Sequence, residues 1–386
     1  MLSAGAVSIT TDSAPRVAII GAGIIGLSCA WELSKRGAQV TLFDSAFHPG
    51  RGASWAAAGM LAPAFEAAAE TGAHDRLFDL CLESRAIWAD FAREIGAATG
   101  RDVLHFGGPS LAVALTAEDL SAQQTLARAI QAKNIPVDVL TPDEAVAHEP
   151  RVARDNRGAL LLHTDGQVDN RLLVETLIRA LEKQENVAFV NDEARLIQAG
   201  QALTVAGFDK VIIATGWQTP SVKVGDSCLG DIVPCLREIQ PVGGHMLALV
   251  RQSEAPEMTM RCGALYIVPK AGRVVVGATV EPGATGSEID WDTIHRLEAA
   301  AHELCPVLKR ASIIESWRGV RPGAPDHAPI IGELTGTGAL VASGHYRNGI
   351  LLAPVTAKIM AGMILEGKVS ELAAAFSPDR FAGVTS

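Results

Sequence analysis

Three glycines and an acid set the first chemical possibility. Gly21-Ala-Gly23-Ile-Ile-Gly26 follows the β-branched run Arg16–Ile20, leads into an apolar stretch from Ile24, and is followed by Asp44 at the end of the next such run. In a G-x-G-x-x-G loop the glycines permit a tight turn, a close approach of backbone to a pyrophosphate and close packing of helix on strand. The helix offers N–H groups and the positive end of its dipole to that anion. An acid about 20 residues on reaches a ribose diol. A glycine-rich turn alone is a weak signal; between strand and helix, with the acid in place, it points to a dinucleotide. The motif does not separate FAD from NAD, and the Asp44 carboxylate argues against the 2′-phosphate of NADP.

A second stretch, Arg51-Gly-Ala-Ser-Trp-Ala-Ala-Ala-Gly-Met60, has small side chains that let backbone and its N–H donors approach a flat ligand. An alanine-rich helix start explains the same residues, and spacing alone leaves both readings open. Only two tyrosines, Tyr266 and Tyr346, occur against ten phenylalanines and six tryptophans, and Tyr346 sits in the polar run Gly344-His-Tyr-Arg-Asn-Gly349.

The elements that must carry these residues read as follows. Arg16–Ile20, a helix from Ile24 to Gly37 and Val40–Asp44 form a β–turn–α–β unit, which requires a parallel sheet. Helices are expected over about Asp75–Thr99, Thr116–Lys133 and Arg171–Gln184, with a strand-like stretch over Leu104–Leu115. Lys210–Ala214 reads as a buried strand. Leu265–Pro269 and Val274–Thr279 read as a β-hairpin. Asp290–Lys309 has the spacing of one long amphipathic helix, and Ala339–Ser343 is a last strand that runs through the Gly344–Gly349 block into a C-terminal helix.

Composition narrows the class. The chain has 386 residues, 48% hydrophobic and 20% charged, too apolar for disorder and long enough for two domains. Lys and Arg number 33 against 43 acids, and a net charge of -10 does not suit nucleic acid or anionic membrane as a partner. Met1–Pro15 lacks the basic start and apolar core of a signal peptide and reads as a frayed lead-in. The longest apolar run is taken as Val17–Trp31, which falls short of the roughly 20 residues of a membrane-spanning helix. The six cysteines show no C-x-x-C pair and no zinc spacing, so buried, reduced thiols in a cytoplasmic protein are expected, with no metal.

Taken together, the βαβ unit, the Arg51–Met60 segment, Tyr-Ile-Val-Pro, Val-Gly-Ala-Thr, Trp-Arg-Gly-Val-Arg-Pro and Gly-His-Tyr-Arg-Asn-Gly-Ile-Leu-Leu-Ala-Pro resemble the D-amino-acid-oxidase-type FAD-dependent oxidoreductases, and within them the glycine oxidase branch of thiamine biosynthesis. The match runs in order from about Val17 to Leu365, and the Gly344–Pro354 block is its most specific part. The resemblance implies an α/β fold, a Rossmann-type FAD-binding domain interleaved with a smaller α+β substrate domain on a mixed or antiparallel sheet. It implies boundaries at 1–78, 157–223 and 317–386 for the first and 79–156 and 224–316 for the second.

The same resemblance implies FAD contacts from Gly21, Gly23, Ile24, Ile25, Gly26, Asp44, Ser45, Ala53, Ser54, Ala58, Gly59, Met60, Ala194, His345, Tyr346, Arg347, Asn348, Gly349, Ile350 and Leu351. It places the substrate carboxylate against Arg321 and Arg347, with Tyr266 assisting. Chemistry agrees: a carboxylate in a closed apolar site must be paired, and a guanidinium fork fixes its orientation as well as its charge. Asn348, Gly349 and Ile350 either present N–H groups to the flavin's pyrimidine edge or belong to a helix start merely capped by Asn348.

The implied activity is oxidation of glycine or another small amine or amino acid to an imine, with oxygen as acceptor and hydrogen peroxide as product. The alternative is a D-amino-acid dehydrogenase of the same fold that feeds a quinone. FAD is expected to be non-covalent, since Ala56 stands where some relatives attach flavin to histidine and no cysteine follows Cys305. A homo-oligomer is expected. No catalytic protein base is assigned: His345 reads as a proton shuttle or, more simply, as a packed histidine. Arg318 is expected to be an exposed strand residue, Asp326 and His327 to mark a turn, and Gly243-Gly-His245 to line the ring or to form a sheet turn. Four positions depart from the family pattern: Asp44 for the commoner Glu, Asn170 for a proline, Gly243-Gly-His245 for a basic-Gly-Gln or Glu triplet, and Arg318 for a small residue.

Overall fold

A computed structural model describes residues 14–45, 52–64, 74 and 76–382. The lead-in before Ala14, Arg51 and the expected helix start at Asp75 lie outside these residues.

β1 (Arg16–Ile20) and β2 (Gln39–Phe43) flank α1 (Ile24–Lys35) and pair in parallel, with Ala18 opposite Thr41. β1 pairs on its other side with Lys210–Ile213, and the six-stranded sheet is completed by Val187–Val190 beyond β2 and by Leu340–Ser343 and Ile330–Glu333 beyond Lys210–Ile213. All neighbours are parallel except the last pair. β1 is apolar on both faces because both are covered. Val17 and Ile19 pack toward α1, the helix Asn170–Glu182 and the C-terminal helix Gly349–Glu366. Ala18 and Ile20 pack toward a small four-stranded sheet that includes Leu196–Ala199 and Ala202–Val205. The helix Leu77–Thr99 buries Leu77, Leu80, Cys81, Trp88 and Ile95 in the core that contains α1, although most of it lies in the stretch assigned to the substrate domain.

The second sheet has nine strands and is largely antiparallel, drawn from residues 110–162 and 240–323. At one end of its strand order lies the long pair Gln240–Val250 and Ile313–Gly323; the latter runs across the expected boundary at 316/317 and stays in this sheet for its whole length. Period-2 alternation splits the pair into two faces. Leu247 and Leu249 pack under the helix Trp291–Leu304, while Met246 joins Ala58, Tyr266, Val268, Val275 and Ala278 on the opposite face.

Three expected elements differ. The helix from Asp290 ends at Leu304 and Pro306–Arg310 continues as a 3-10 turn, since Pro306 has no N–H to extend the ladder. Leu104–Leu115 divides into His105–Phe106 and Ser110–Val113 in different sheets, separated by Gly107-Gly-Pro109. The most apolar long helix is not the Val17–Trp31 run. The stretch Tyr346–Glu366 is long and apolar enough to cross a membrane by composition, but it packs against α1 and Leu77–Thr99. None of the six cysteines forms a disulfide; Cys29, Cys81 and Cys305 are buried, while Cys228, Cys235 and Cys262 are only half-buried.

Candidate active site

The glycine loop is built by close contact. Gly21 has φ 102°, and a Cβ there would lie 2.5 Å from the Ala214 carbonyl oxygen. Gly26 is tighter still, since a Cβ would meet the Gly21 carbonyl oxygen at 1.9 Å. The N-terminus of α1 begins after Gly23, which carries no capping side chain; instead the Ile24 N–H donates to Ser54 Oγ at 2.9 Å. The Ala22 N–H donates to Asp44 Oδ2 at 2.8 Å, tying the expected ribose acid to the loop.

From this loop a cavity of about 710 Å³ runs to the substrate sheet. Gly21, Gly23, Ile24, Ile25, Asp44, Ser45, Ala53, Ser54, Ala58, Gly59, Met60 and Ala194 line it, as do the six residues from His345 to Ile350 and, at the far end, Tyr266 and Arg321. Two expected contacts do not. Gly26 lies beneath the loop, where its missing side chain admits the Gly21 carbonyl. Leu351 is turned into the helical core, and its carbonyl accepts from Ser84 Oγ at 2.6 Å and Trp88 Nε1 at 2.7 Å.

The small-residue segment starts as a short helix, α2 (Gly52–Ala56), so the helix reading of its local structure is correct; it also walls the cavity. Its carbonyls are held from outside by side chains for which sequence reasoning offered no such role. Asn170 Nδ2 donates to the carbonyls of Ser54 (2.9 Å) and Trp55 (3.1 Å), and Trp317 Nε1 donates to that of Ala56 (2.9 Å). The Arg171 guanidinium lies 4.5 Å and 4.8 Å from the ring centroids of Trp55 and Trp317 and forms two 2.7 Å bonds to Glu315. The Gly59 carbonyl accepts from the Val168 N–H, while the Val168 carbonyl takes the fully buried Lys270 ammonium at 2.6 Å. Burial pulls the Lys270 pKa down to about 7 against the opposing pull of Asp169. Asn170, met in the sequence only as a loop difference, is therefore a fastener of the cavity wall.

At the other end, the register pairs Gly244 with Gly319 and Val242 with Arg321. Arg321 projects on the cavity side and lies over Gly244, where a Cβ would fall 2.6 Å from Nη1. Nη1 donates to the carbonyls of Gly243 and Thr279, both at 3.3 Å. The triplet Gly243-Gly-His245 is thus neither a turn nor uniformly cavity-facing; only Gly244 lines the cavity. Tyr266 pairs with Gly277 and its hydroxyl reaches Met246 Sδ at 3.6 Å. Tyr346 stacks on His327 with ring centroids 5.0 Å apart, and Asp326 is held by Arg380 at 2.8 Å, giving both turn residues structural work.

Arg318 corrects an expectation. It projects away from Arg321, as the odd spacing requires, but its side chain is only 14% exposed and is paired with Glu281. The segment 278–290, which carries Glu281, packs against that face. For His345 the packed reading holds: burial drives its pKa down to about 3, and Nε2 shares a 3.0 Å bond with Thr356 Oγ1.

These features fit FAD. The loop excludes even a methyl group at Gly21 and Gly26, and Asn348 Oδ1 is buried at the cavity wall with no partner among the described residues, as suits an atom awaiting a donor. A dinucleotide loop opening into a cavity whose far end carries a guanidinium defines a cofactor-dependent oxidoreductase. The family described as FAD dependent oxidoreductase matches residues 16–363, and the chain belongs to it. It is an FAD-dependent amino-acid or amine oxidase by family and fold.

Glycine oxidase of Geobacillus kaustophilus is 33% identical over 382 residues, covering 95% of this chain and 97% of its own length. The crystal structure of that enzyme superposes with a TM-score of 0.84 over 95% of this chain and 99% of its own, and that of Bacillus cereus glycine oxidase, 27% identical, with 0.81 over 94% and 98%. The bifunctional protein ThiO/ThiG of Synechocystis is 33% identical over 96% of this chain, which spans 54% of that longer protein.

Proposed function

We propose that the chain oxidises glycine or another small amino acid, such as sarcosine or a small D-amino acid, to its imine, with oxygen as acceptor and hydrogen peroxide as product. The observation that carries this reading is the Arg321 guanidinium at the end of the cavity, beside the apolar wall of Met246, Tyr266 and Ala278. A carboxylate entering that end loses its hydration and needs a fixed cation in return. Arg321 uses Nη1 on backbone carbonyls, and among the described residues no protein acceptor bonds its other guanidinium nitrogens, which are left for a planar anion. The similarity to two glycine oxidases and ThiO/ThiG along nearly the whole chain supports the same substrate class.

FAD, when bound, supplies the hydride acceptor for the substrate Cα–H and the site of reoxidation by oxygen. The glycine loop and α1 would hold its pyrophosphate, Asp44 a ribose, and α2 with Ala58–Met60 and Asn348–Ile350 its ring end. Arg321, with Arg347, holds the carboxylate. Tyr266 and Met246 bound the space left for the side chain, which favours small substrates. Burial holds the His345 pKa down at about 3 and Thr356 engages Nε2, so His345 takes no proton-transfer role, and hydride transfer needs no protein base where the substrate amine binds neutral.

The test is a peroxide assay on holoenzyme with glycine, sarcosine, D-alanine and D-proline, repeated for Arg321→Met. The variant should keep its FAD and raise KM about 100-fold, as expected when a buried charge pair worth roughly 2–5 kcal/mol is broken. Normal KM with lost FAD contradicts the assignment of Arg321. Dye reduction without peroxide indicates a dehydrogenase in place of an oxidase.

A further inference from the structure

Behind the arginine wall, on the side of the sheet turned away from the cavity, lies a partly buried polar network that the proposed chemistry does not use. Gly243, His245 and Arg318 share that face, because His245 pairs with Arg318 and Gly243 is two residues from His245. Glu281 pairs with Gly243 from the other edge. Its Oε1 accepts from Thr279 Oγ1 at 2.5 Å and lies 2.6 Å from His245 Nδ1, and its Oε2 takes Arg318 Nη2. The Asp290 N–H donates to His245 Nε2 at 3.1 Å, so Nδ1 is the nitrogen that donates to Glu281. Burial opposes the charge on Glu281, but the hydrogen bonds from Thr279 and His245 prevail, assisted by Arg318, and hold its carboxyl below the usual range.

The network reaches the cavity through one residue. Thr279 donates its hydroxyl proton to Glu281, accepts the His245 N–H on the same oxygen at 2.8 Å, and offers its carbonyl to Arg321 Nη1. Among the described residues Arg321 has no carboxylate partner; two carbonyls at 3.3 Å hold it, and its place is set by where they sit. Gly243 leaves space for the device, since a Cβ there would stand 3.2 Å from Arg318 Nη2 and 3.0 Å from the Ala284 carbonyl oxygen.

We propose that Glu281, fixed by Arg318 and His245, is a positioning residue for Arg321. It immobilises Thr279 and thereby aims the guanidinium at the substrate carboxylate. The inference rests on the reading of Arg321 as the carboxylate group. A bidentate pair tolerates little misplacement, and a shift of about 1 Å in a positioned group costs up to about 100-fold. Loosening Thr279 should therefore weaken carboxylate binding without touching the cofactor.

The test uses FAD-loaded enzyme and acetate, a carboxylate without an amine, with binding read from the perturbation of flavin absorbance. KM and kcat are measured in parallel with the best substrate of the panel above. Glu281→Leu and Arg318→Leu should each weaken acetate binding and raise KM about tenfold, with kcat and FAD content near wild type, whereas Arg318→Lys should restore most of the loss. If Glu281→Leu does not fold, Glu281→Gln and Arg318→Leu carry the same criteria. Wild-type acetate affinity in these variants, with affinity lost in Arg321→Met, overturns the positioning role and leaves the carboxylate assignment standing. Unchanged acetate affinity in Arg321→Met overturns both. A fall in thermal stability with unchanged acetate affinity and KM shows a merely structural network and also overturns the inference.

Discussion

The two ends of the cavity are built on different principles. At the glycine loop, backbone touches backbone: Gly21 and Gly26 sit where no side chain fits, and among the described residues the side chains engaging loop N–H groups are Asp44 and Ser54. At the arginine end a side chain, Arg321, occupies the space a glycine leaves and is steered by further side chains three bonds deep behind the sheet. The first arrangement suits a cofactor common to a family, because it recognises a pyrophosphate by local geometry alone. The second can be retuned by exchanging side chains around the strand pair, where the family resemblance leads us to expect departures at Gly243–His245 and Arg318.

Single methyl groups should separate the ends, and the largest effect belongs to the loop. Gly26→Ala forces a carbon into the Gly21 carbonyl, strain of about 1–3 kcal/mol or more, so the protein should purify with little FAD, read as the ratio of visible to protein absorbance. Gly23→Ala, whose new Cβ would meet only Ser54 Oγ at 3.4 Å among the described residues, should lose FAD by crowding the pyrophosphate while keeping the wild-type melting temperature, which Gly26→Ala should lower. An equal fall in melting temperature in both would dissolve the distinction.

Gly244→Ala is the counterpart at the other end. It displaces Arg321, so KM should rise about tenfold while FAD content stays normal; loss of FAD here would mean that the two ends are one unit. A third effect concerns stability against pH. His345 has a folded-state pKa of about 3, below the ordinary histidine value. The unfolded chain therefore binds the extra proton first, and this residue's contribution is intact above about pH 6.5 and lost as pH falls toward 3. Denaturation midpoints of His345→Gln should fall less steeply with acid than those of wild type over that window. Smallest is Tyr266→Phe: with the ring retained and one hydroxyl bond lost, KM should change about threefold, the scale of a net hydrogen bond of roughly 0.5–1.5 kcal/mol. A 100-fold change would move Tyr266 from shaping the pocket to binding the carboxylate.

What was legible in the sequence follows the same division. β1, the loop, α1, β2 and Asp44 were readable because each is dictated by its neighbours in the chain: β-branched residues, glycines at fixed offsets, an acid at a strand end. The segments that meet at the cavity were readable as blocks from their resemblance to a family. Their fasteners were not. Asn170, Arg171 and Trp317 act on Ser54–Ala56, and Lys270 on Val168 behind Gly59, from more than 100 residues away, and nothing in their local spacing announces a carbonyl to be held. Arg318 shows the limit clearly. Its parity relative to Arg321 followed from the strand, but its burial depended on the segment around Glu281 packing against that face, which no periodicity records. Leu351 was assigned to FAD by the family resemblance along with Ile350, yet one step along a helix turns a side chain by about 100°, enough to leave the cavity for the core.

The central claim is that this cavity oxidises small amino acids gripped by their carboxylate. Anaerobic titration of the holoenzyme tests it most directly, with glycine, sarcosine and D-alanine in one set and methylamine, which lacks the carboxylate, in the other. Bleaching of the flavin absorbance by at least one amino acid, with none by methylamine at the same concentration, is the predicted result. Equal bleaching by methylamine, or none by any amino acid, would contradict it.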